Sequence, residues 1–227
     1  KLAPALAAGN SVVLKPSEFT SASLLEFVKL VELAGFPKGV VNVVTGFGQE
    51  MGNALVSHPL VERIAFTGGP EAGRMVNEQA AKSMKRVTLE LGGKSPNIIF
   101  EDADLGQALK GAVAGIFAAS GQTCVAGSRL LLQRSIHDEF LERLDEFLED
   151  IKFGHPSDPE TQIAPISTAP QIKKIEDYVA IAKGEGARLV RGGKRASVDG
   201  YPNGLFYEPT IFADVDNSMR IAQEEVF

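Results

Sequence analysis

The chain has 227 residues, 44% hydrophobic and 23% charged, with a net charge of −6. That is room for one large domain or two small ones, and an acidic balance without any basic block argues against nucleic acid as a partner. No stretch approaches the roughly 18 apolar residues that cross a bilayer, and the lone cysteine, Cys124, cannot close an intrachain disulfide, which fits a reducing, cytoplasmic setting.

Lys1-Leu2-Ala3-Pro4-Ala5-Leu6 enters midway through an apolar helical pattern, and Pro4, Gly9 and Asn10 break that pattern too early for a signal peptide. Glu224-Glu225-Val226-Phe227 stops within another structured run. Both ends therefore read as cut from a longer enzyme. Residues 11–14 predict a buried strand ending at Lys15-Pro16-Ser17-Glu18. A helix over about 23–34, capped by Ser21 or Ser23, places Leu24, Leu25, Val28 and Val31 on its apolar face and stops at Gly35. Residues 40–44 predict a second buried strand, ending at Thr45-Gly46-Phe47-Gly48, and a short helix over 49–57. A third strand, 63–67, runs into Gly68-Gly69-Pro70, where Pro70 suits the first turn of a helix reaching about residue 83. A fourth strand, 86–91, ends at Gly92-Gly93.

Strands alternating with helices at these intervals imply βαβ units and a parallel sheet, whose ligands gather at the carboxyl ends of the strands. Those ends carry Lys15 and Glu18, Gly46 and Gly48, Gly68 and Gly69, and Glu90 and Gly92. The paired glycines mark a domain boundary, so the expected fold class is α/β, with a parallel sheet over 1–91 and a second α/β part over 92–227.

The second part opens with a strand over 97–100 and a helix capped within Asp102-Ala103-Asp104. Leu105, Ala108, Leu109, Ala112, Val113, Ile116 and Phe117 recur along it at helical spacing. Ser120-Gly121-Gln122-Thr123-Cys124-Val125-Ala126-Gly127 follows, a small-residue turn before the run Leu130-Leu131-Leu132. A helix over about 136–151 is expected to bury Phe140, Leu141, Leu144, Phe147, Leu148 and Ile151. Residues 154–170 read as a loop, 171–183 as a helix, 188–190 as a strand and 206–215 as extended chain broken at Pro209. Arg191, Lys194 and Arg195 read as a surface turn, and Gln122 and Thr123 as residues that shape the cysteine turn.

A lone cysteine is often a small core residue, but a thiol on a glycine-flanked turn between two regular elements is well placed to attack a substrate. His58, His137 and His155 lie in a loop, at a helix start and in a second loop. None suggests a Cys–His pair, and no His or Cys spacing suggests a metal site. A carboxylate base remains. Glu90 ends an apolar strand, where burial would raise its pKa toward general-base work; a strand-end charge in a salt bridge is the plainer alternative.

Glu90-Leu91-Gly92-Gly93-Lys94-Ser95-Pro96 and Gly121-Gln122-Thr123-Cys124, with Lys15-Pro16-Ser17-Glu18, Phe66-Thr67-Gly68-Gly69 and Glu224-Glu225-Val226-Phe227 in order, resemble the aldehyde dehydrogenase superfamily of the hydrolytic type. The resemblance covers the whole chain and implies that 1–91 hold most of a parallel Rossmann-like NAD-binding domain and 92–227 part of a second α/β catalytic domain that carries the cysteine. It implies that Cys124 attacks an aldehyde, hydride passes to nicotinamide, and water activated by Glu90 hydrolyses the thioester. It implies an oxyanion site at the Cys124 N–H and at an asparagine upstream of the Lys15 motif, outside this chain. Lys15, Ser17 and Glu18 fall at the adenine ribose, where a carboxylate favours NAD over NADP, with NADP still possible. Gly68, Gly69 and Gly73 fall at the pyrophosphate, Leu91 at the nicotinamide amide, Glu225 at the nicotinamide ribose and Phe227 beside the ring. It further implies a homodimer or homotetramer for the complete enzyme. A relative that transfers the acyl group to coenzyme A is disfavoured by Glu90, and an inactive binding or assembly fragment is the alternative from another class.

Overall fold

The computed structural model describes residues 1–227. The chain forms two compact units, Lys1–Leu91 and Gly92–Phe227. No helix is long and apolar enough to cross a membrane.

The first unit contains α1 (Leu2–Ala7), β1 (Val12–Leu14), α2 (Ser21–Leu33), β2 (Val41–Val43), α3 (Asn53–Ser57), β3 (Arg63–Thr67), α4 (Pro70–Ala81) and β4 (Arg86–Glu90). β1 pairs in parallel with β2, and β3 with β4 in a register that sets Thr67 opposite Glu90. Parallel neighbours need a crossover rather than a hairpin, and α2 and α4 supply it. Each pair therefore brings two strand ends to one side. Leu24 and Val28 are half-buried and Val31 is buried, so the inward face of α2 follows i, i+4, i+7. Leu25, expected on that face, is 45% exposed because it lies one residue, or about 100°, round from Leu24. The expected serine cap is also absent. Thr20 takes the N-cap position without a side-chain bond, and Ser21 and Ser23 lie inside the helix. Their hydroxyls donate backward to the Ser17 (3.1 Å) and Thr20 (3.3 Å) carbonyls. The β1 strand is less buried than its sequence suggests, with Val13 exposed.

The second unit contains β5 (Pro96–Ile99), α5 (Leu105–Phe117), β6 (Arg129–Leu132), α6 (His137–Phe147), α7 (Ala169–Gly184), β7 (Arg188–Arg191), β8 (Ile211–Ala213) and α8 (Arg220–Gln223). β5 and β6 pair in parallel from Pro96 opposite Arg129, and β7 and β8 pair antiparallel. The Asp104 carboxylate caps α5 by accepting from the Gln107 N–H (3.1 Å). Leu109 and Ala112 of α5 and Phe140, Leu144 and Leu148 in and after α6 form one core with Ile99 and Ile136. Its buried line follows i, i+4, i+8, so Phe147, on the flank of that line where α6 ends, stays exposed rather than buried as expected. A second core joins Ile172, Ile175 and Val179 of α7 to Ile166 and Tyr207. The basic turn is a surface feature in which each cation is paired: Arg191 with Asp145, Lys194 with Glu208 (3.5 Å) and Arg195 with Glu176 (2.7 Å).

Candidate active site

After α5, the backbone runs left-handed through Ala119 (φ 50°), Ser120 (φ 55°) and Gly121 (φ 77°). Glycine adopts this conformation freely, whereas it costs alanine and serine about 1–2 kcal/mol each. Nearby hydrogen bonds hold the run in place. The Ser120 hydroxyl donates to the Ala164 carbonyl (2.7 Å). Gln122 Oε1 accepts from both the Ser167 N–H (3.2 Å) and the Ser167 hydroxyl (2.7 Å). The Ala126 N–H then closes a tight turn onto the Thr123 carbonyl (3.0 Å), with Cys124 and Val125 between them. The Gly127 N–H ties the exit to the Gly115 carbonyl of α5 (3.0 Å). Ala126 is buried while Cys124 and Val125 are exposed. Cys124 is thus not a core side chain; it sits at the tip of a turn anchored on both sides.

Gly93 runs beside this turn, its Cβ direction 3.8 Å from the Cys124 carbonyl. The neighbouring backbone is held by Arg129, whose N–H and Nε donate to the Ser95 (3.1 Å) and Lys94 (2.8 Å) carbonyls. Burial lowers the Lys94 pKa to about 8, Arg129 and Lys174 push it the same way, and Glu225 opposes them. The Glu225 carboxylate accepts from the Gly93 N–H (3.2 Å). A cavity of about 630 Å³ in this unit is lined by residues including Lys94, Thr123, Ser128, Tyr178, Glu225 and Phe227. The Ser128 hydroxyl on its wall is buried without a hydrogen-bond partner. Gln171 Nε2 donates to the carbonyls of Val226 (2.9 Å) and Phe227.

The first unit carries the remaining candidates at its strand ends. The Lys15 ammonium donates to the Pro16 (2.6 Å) and Gly46 (3.1 Å) carbonyls, bridging the ends of β1 and β2. The Ser17 hydroxyl accepts from the Phe19 N–H (3.3 Å), and Glu18 is exposed. The Gly68 N–H donates to the Glu90 carbonyl (3.1 Å). A Cβ on Gly68 would lie 2.5 Å from the Phe66 ring, and one on the buried Gly73 would lie 2.6 Å from the Leu91 side chain, while the space at Gly69 is open. α4, of 12 residues, starts behind Gly69 with no side-chain cap. This glycine-lined helix entry, with unclaimed N–H groups, fits a phosphate group. Glu90 departs from expectation: it is exposed at the end of β4, where the half-buried stretch is Val87–Leu89. A carboxylate at the last position of a two-stranded pair has no layer over it, so the burial expected from the strand pattern is absent.

Glu90 and Leu91 thus belong to the first unit, and Cys124, Glu225 and Phe227 to the second. The sequence pattern marks Gly92-Gly93 only as a boundary and misses that the pair receives a carboxylate. Two adjacent glycines directly after an apolar strand were the signal available.

The sequence profile described as the aldehyde dehydrogenase family matches residues 1–227, and the chain belongs to that family. Over 211 residues, 93% of this chain and 42% of the relative, it is 52% identical to (Z)-2-((N-methylformamido)methylene)-5-hydroxybutyrolactone dehydrogenase of Acinetobacter baylyi. It is 48% identical, over its full length and 46% of the relative, to betaine aldehyde dehydrogenase of Bacillus subtilis. A crystal structure of betaine aldehyde dehydrogenase from Staphylococcus aureus in complex with NAD+ superposes with a TM-score of 0.97 at 45% identity, covering 100% of this chain and 45% of that one. The chain therefore spans less than half the length of these relatives. Likeness at this level also carries the α/β fold with parallel strand pairs.

Proposed function

We propose that the complete protein oxidises an aldehyde to a carboxylic acid with NAD as hydride acceptor, through a covalent adduct on Cys124. The observation that carries this reading is the exposed thiol at the tip of a doubly anchored turn. The Cys124 thiolate adds to the carbonyl carbon, forming the C–S bond and an oxyanion to which the Cys124 N–H is suited to donate. Loss of hydride from that carbon leaves a thioester. Glu90 takes a proton from water, hydroxide adds to the thioester, and the C–S bond breaks to restore the thiolate and release the carboxylic acid, which gives its proton to solvent.

Bound NAD supplies the acceptor for that hydride. Lys15, Ser17 and Glu18 would hold its adenine ribose, with the Glu18 carboxylate accepting from hydroxyls and disfavouring a 2′-phosphate. Gly68, Gly69 and Gly73 would serve the pyrophosphate, Leu91 the nicotinamide amide, and Glu225 and Phe227 the nicotinamide ribose and ring. On this reading residues 1–91 are the cofactor-binding part and 92–227 the part that carries the nucleophile, in a cytoplasmic enzyme that assembles as a homodimer or homotetramer.

The test is NADH formation by the complete protein with a panel of aldehydes, betaine aldehyde included. Cys124→Ala is expected to abolish turnover, and persistence of turnover would overturn the thiol mechanism. Glu90→Gln is expected to keep a first burst of NADH and lose steady turnover. A Glu90→Gln variant with unchanged steady turnover would remove Glu90 from the hydrolytic role.

A further inference from the structure

Gly92 takes no part in a left-handed turn, since its φ is not positive, so the strain that usually reserves such a position for glycine does not arise. What excludes a side chain is space. A Cβ there would lie 1.9 Å from Glu225 Oε2, 2.3 Å from Oε1 and 2.2 Å from Cδ. The same carboxylate accepts the Gly93 N–H (3.2 Å). One glycine thus provides the room and the next provides the donor.

A glutamate side chain is long and rotamer-rich, and fixing it in advance lowers the cost of binding whatever it binds. A carboxylate needs both oxygens correctly turned to accept from the neighbouring hydroxyls of a ribose. We propose that Gly92 is a positioning residue for cofactor binding, acting through Glu225: its missing side chain forms the seat that presets the Glu225 carboxylate. This rests on the reading that Glu225 takes the nicotinamide ribose. The methyl group added by Gly92→Ala would push aside only the mobile end of Glu225, so the backbone of the glycine pair stays in place. The charged groups around the seat are Lys94, beside the glycine pair, with Arg129 and Lys174 near it; Glu225 holds the Lys94 pKa up against those two cations.

The experiment titrates NAD calorimetrically into the complete protein, as wild type, Gly92→Ala, Glu225→Ala and the double variant. Gly92→Ala is expected to weaken NAD binding about fivefold to tenfold, and the double variant to bind no more weakly than Glu225→Ala alone. If Gly92→Ala binds NAD like wild type while Glu225→Ala does not, or if the two losses multiply, the proposal falls. Glu225→Asp keeps the charge but shortens its reach, so it should reproduce the Gly92→Ala loss without touching the glycine pair; an aspartate that binds as tightly as glutamate overturns the seat.

If Glu225→Ala leaves NAD affinity unchanged, the ribose reading fails, and the seat is judged on a cofactor-free readout. In Gly92→Ala the displaced carboxylate no longer supports the Lys94 ammonium. The pH midpoint of Lys94 acetylation, followed by peptide mass spectrometry, should then fall below its wild-type value. An unmoved midpoint means the carboxylate was not displaced and overturns the proposal.

Discussion

In the first unit Val31, Val56 and Ala80 are the only buried apolar side chains, while the second holds two clusters and the fully buried Phe140, Leu148, Ile172 and Phe206. The two units also differ in how they hold their candidate residues. The first relies on paired strand ends, glycine backbone and one bridging lysine. The second sets the cysteine turn between a packed helix, α5, and a strand of the same parallel pair. Backbone ties set the strand ends of the first unit; in the second, a packed helix supports a turn that hydrogen bonds then fix.

The largest expected effect tests that contrast directly. Phe140→Ala should cost about 3–5 kcal/mol in urea unfolding, against roughly 1.5 kcal/mol for Val56→Ala in the first unit. Equal losses would erase the distinction. Next, Lys15→Met removes the cation that bridges the β1 and β2 ends and should cost about 1–2 kcal/mol. The same variant sharpens the role of Lys15, since a loss of NAD affinity larger than the loss of stability separates a ligand contact from a strand-end brace. Asp104→Ala uncaps α5 and should cost about 1 kcal/mol, seen as a lower urea midpoint at unchanged slope.

The smallest effect is electrostatic. Hydrogen bonds from Arg220 and Tyr178 lower the Glu224 carboxyl from 4.5 to about 2. A depressed carboxylate stabilises the fold above its unfolded value and loses that contribution as pH falls through the folded one. The fall in melting temperature between pH 4.5 and 2 should therefore be slightly smaller in Glu224→Gln, with the contributions of Glu176 and Asp216 left in place. Because the pair is half-exposed, screening by salt should shrink the effect further.

Much of this architecture was legible where local chemistry decides it. The β3 strand and the start of α4 at Pro70 stand where the sequence puts them, as does α5 with its aspartate cap. The exposed cysteine turn was legible from its small residues. The exposure of Glu90 was not, because it depends on what lies over a strand end, and Leu25 and Phe147 stay exposed because packing narrows each apolar stripe to a single line of residues. The seat at Gly92 was hidden for a related reason, since its occupant lies 132 residues from the donor at Gly93.

The bonds that shape the cysteine turn have one more consequence. Ser120 and Gln122 reach Ala164 and Ser167, 44 and 45 residues downstream. The left-handed run before Cys124 is therefore completed by a loop that is remote in sequence. A protease that nicks the loop between Gly154 and Pro165 would leave the thiol chemically intact yet remove the clamp that presents it. Thiol titration would still count a full equivalent of Cys124 in a protein whose thiol no longer has a fixed address.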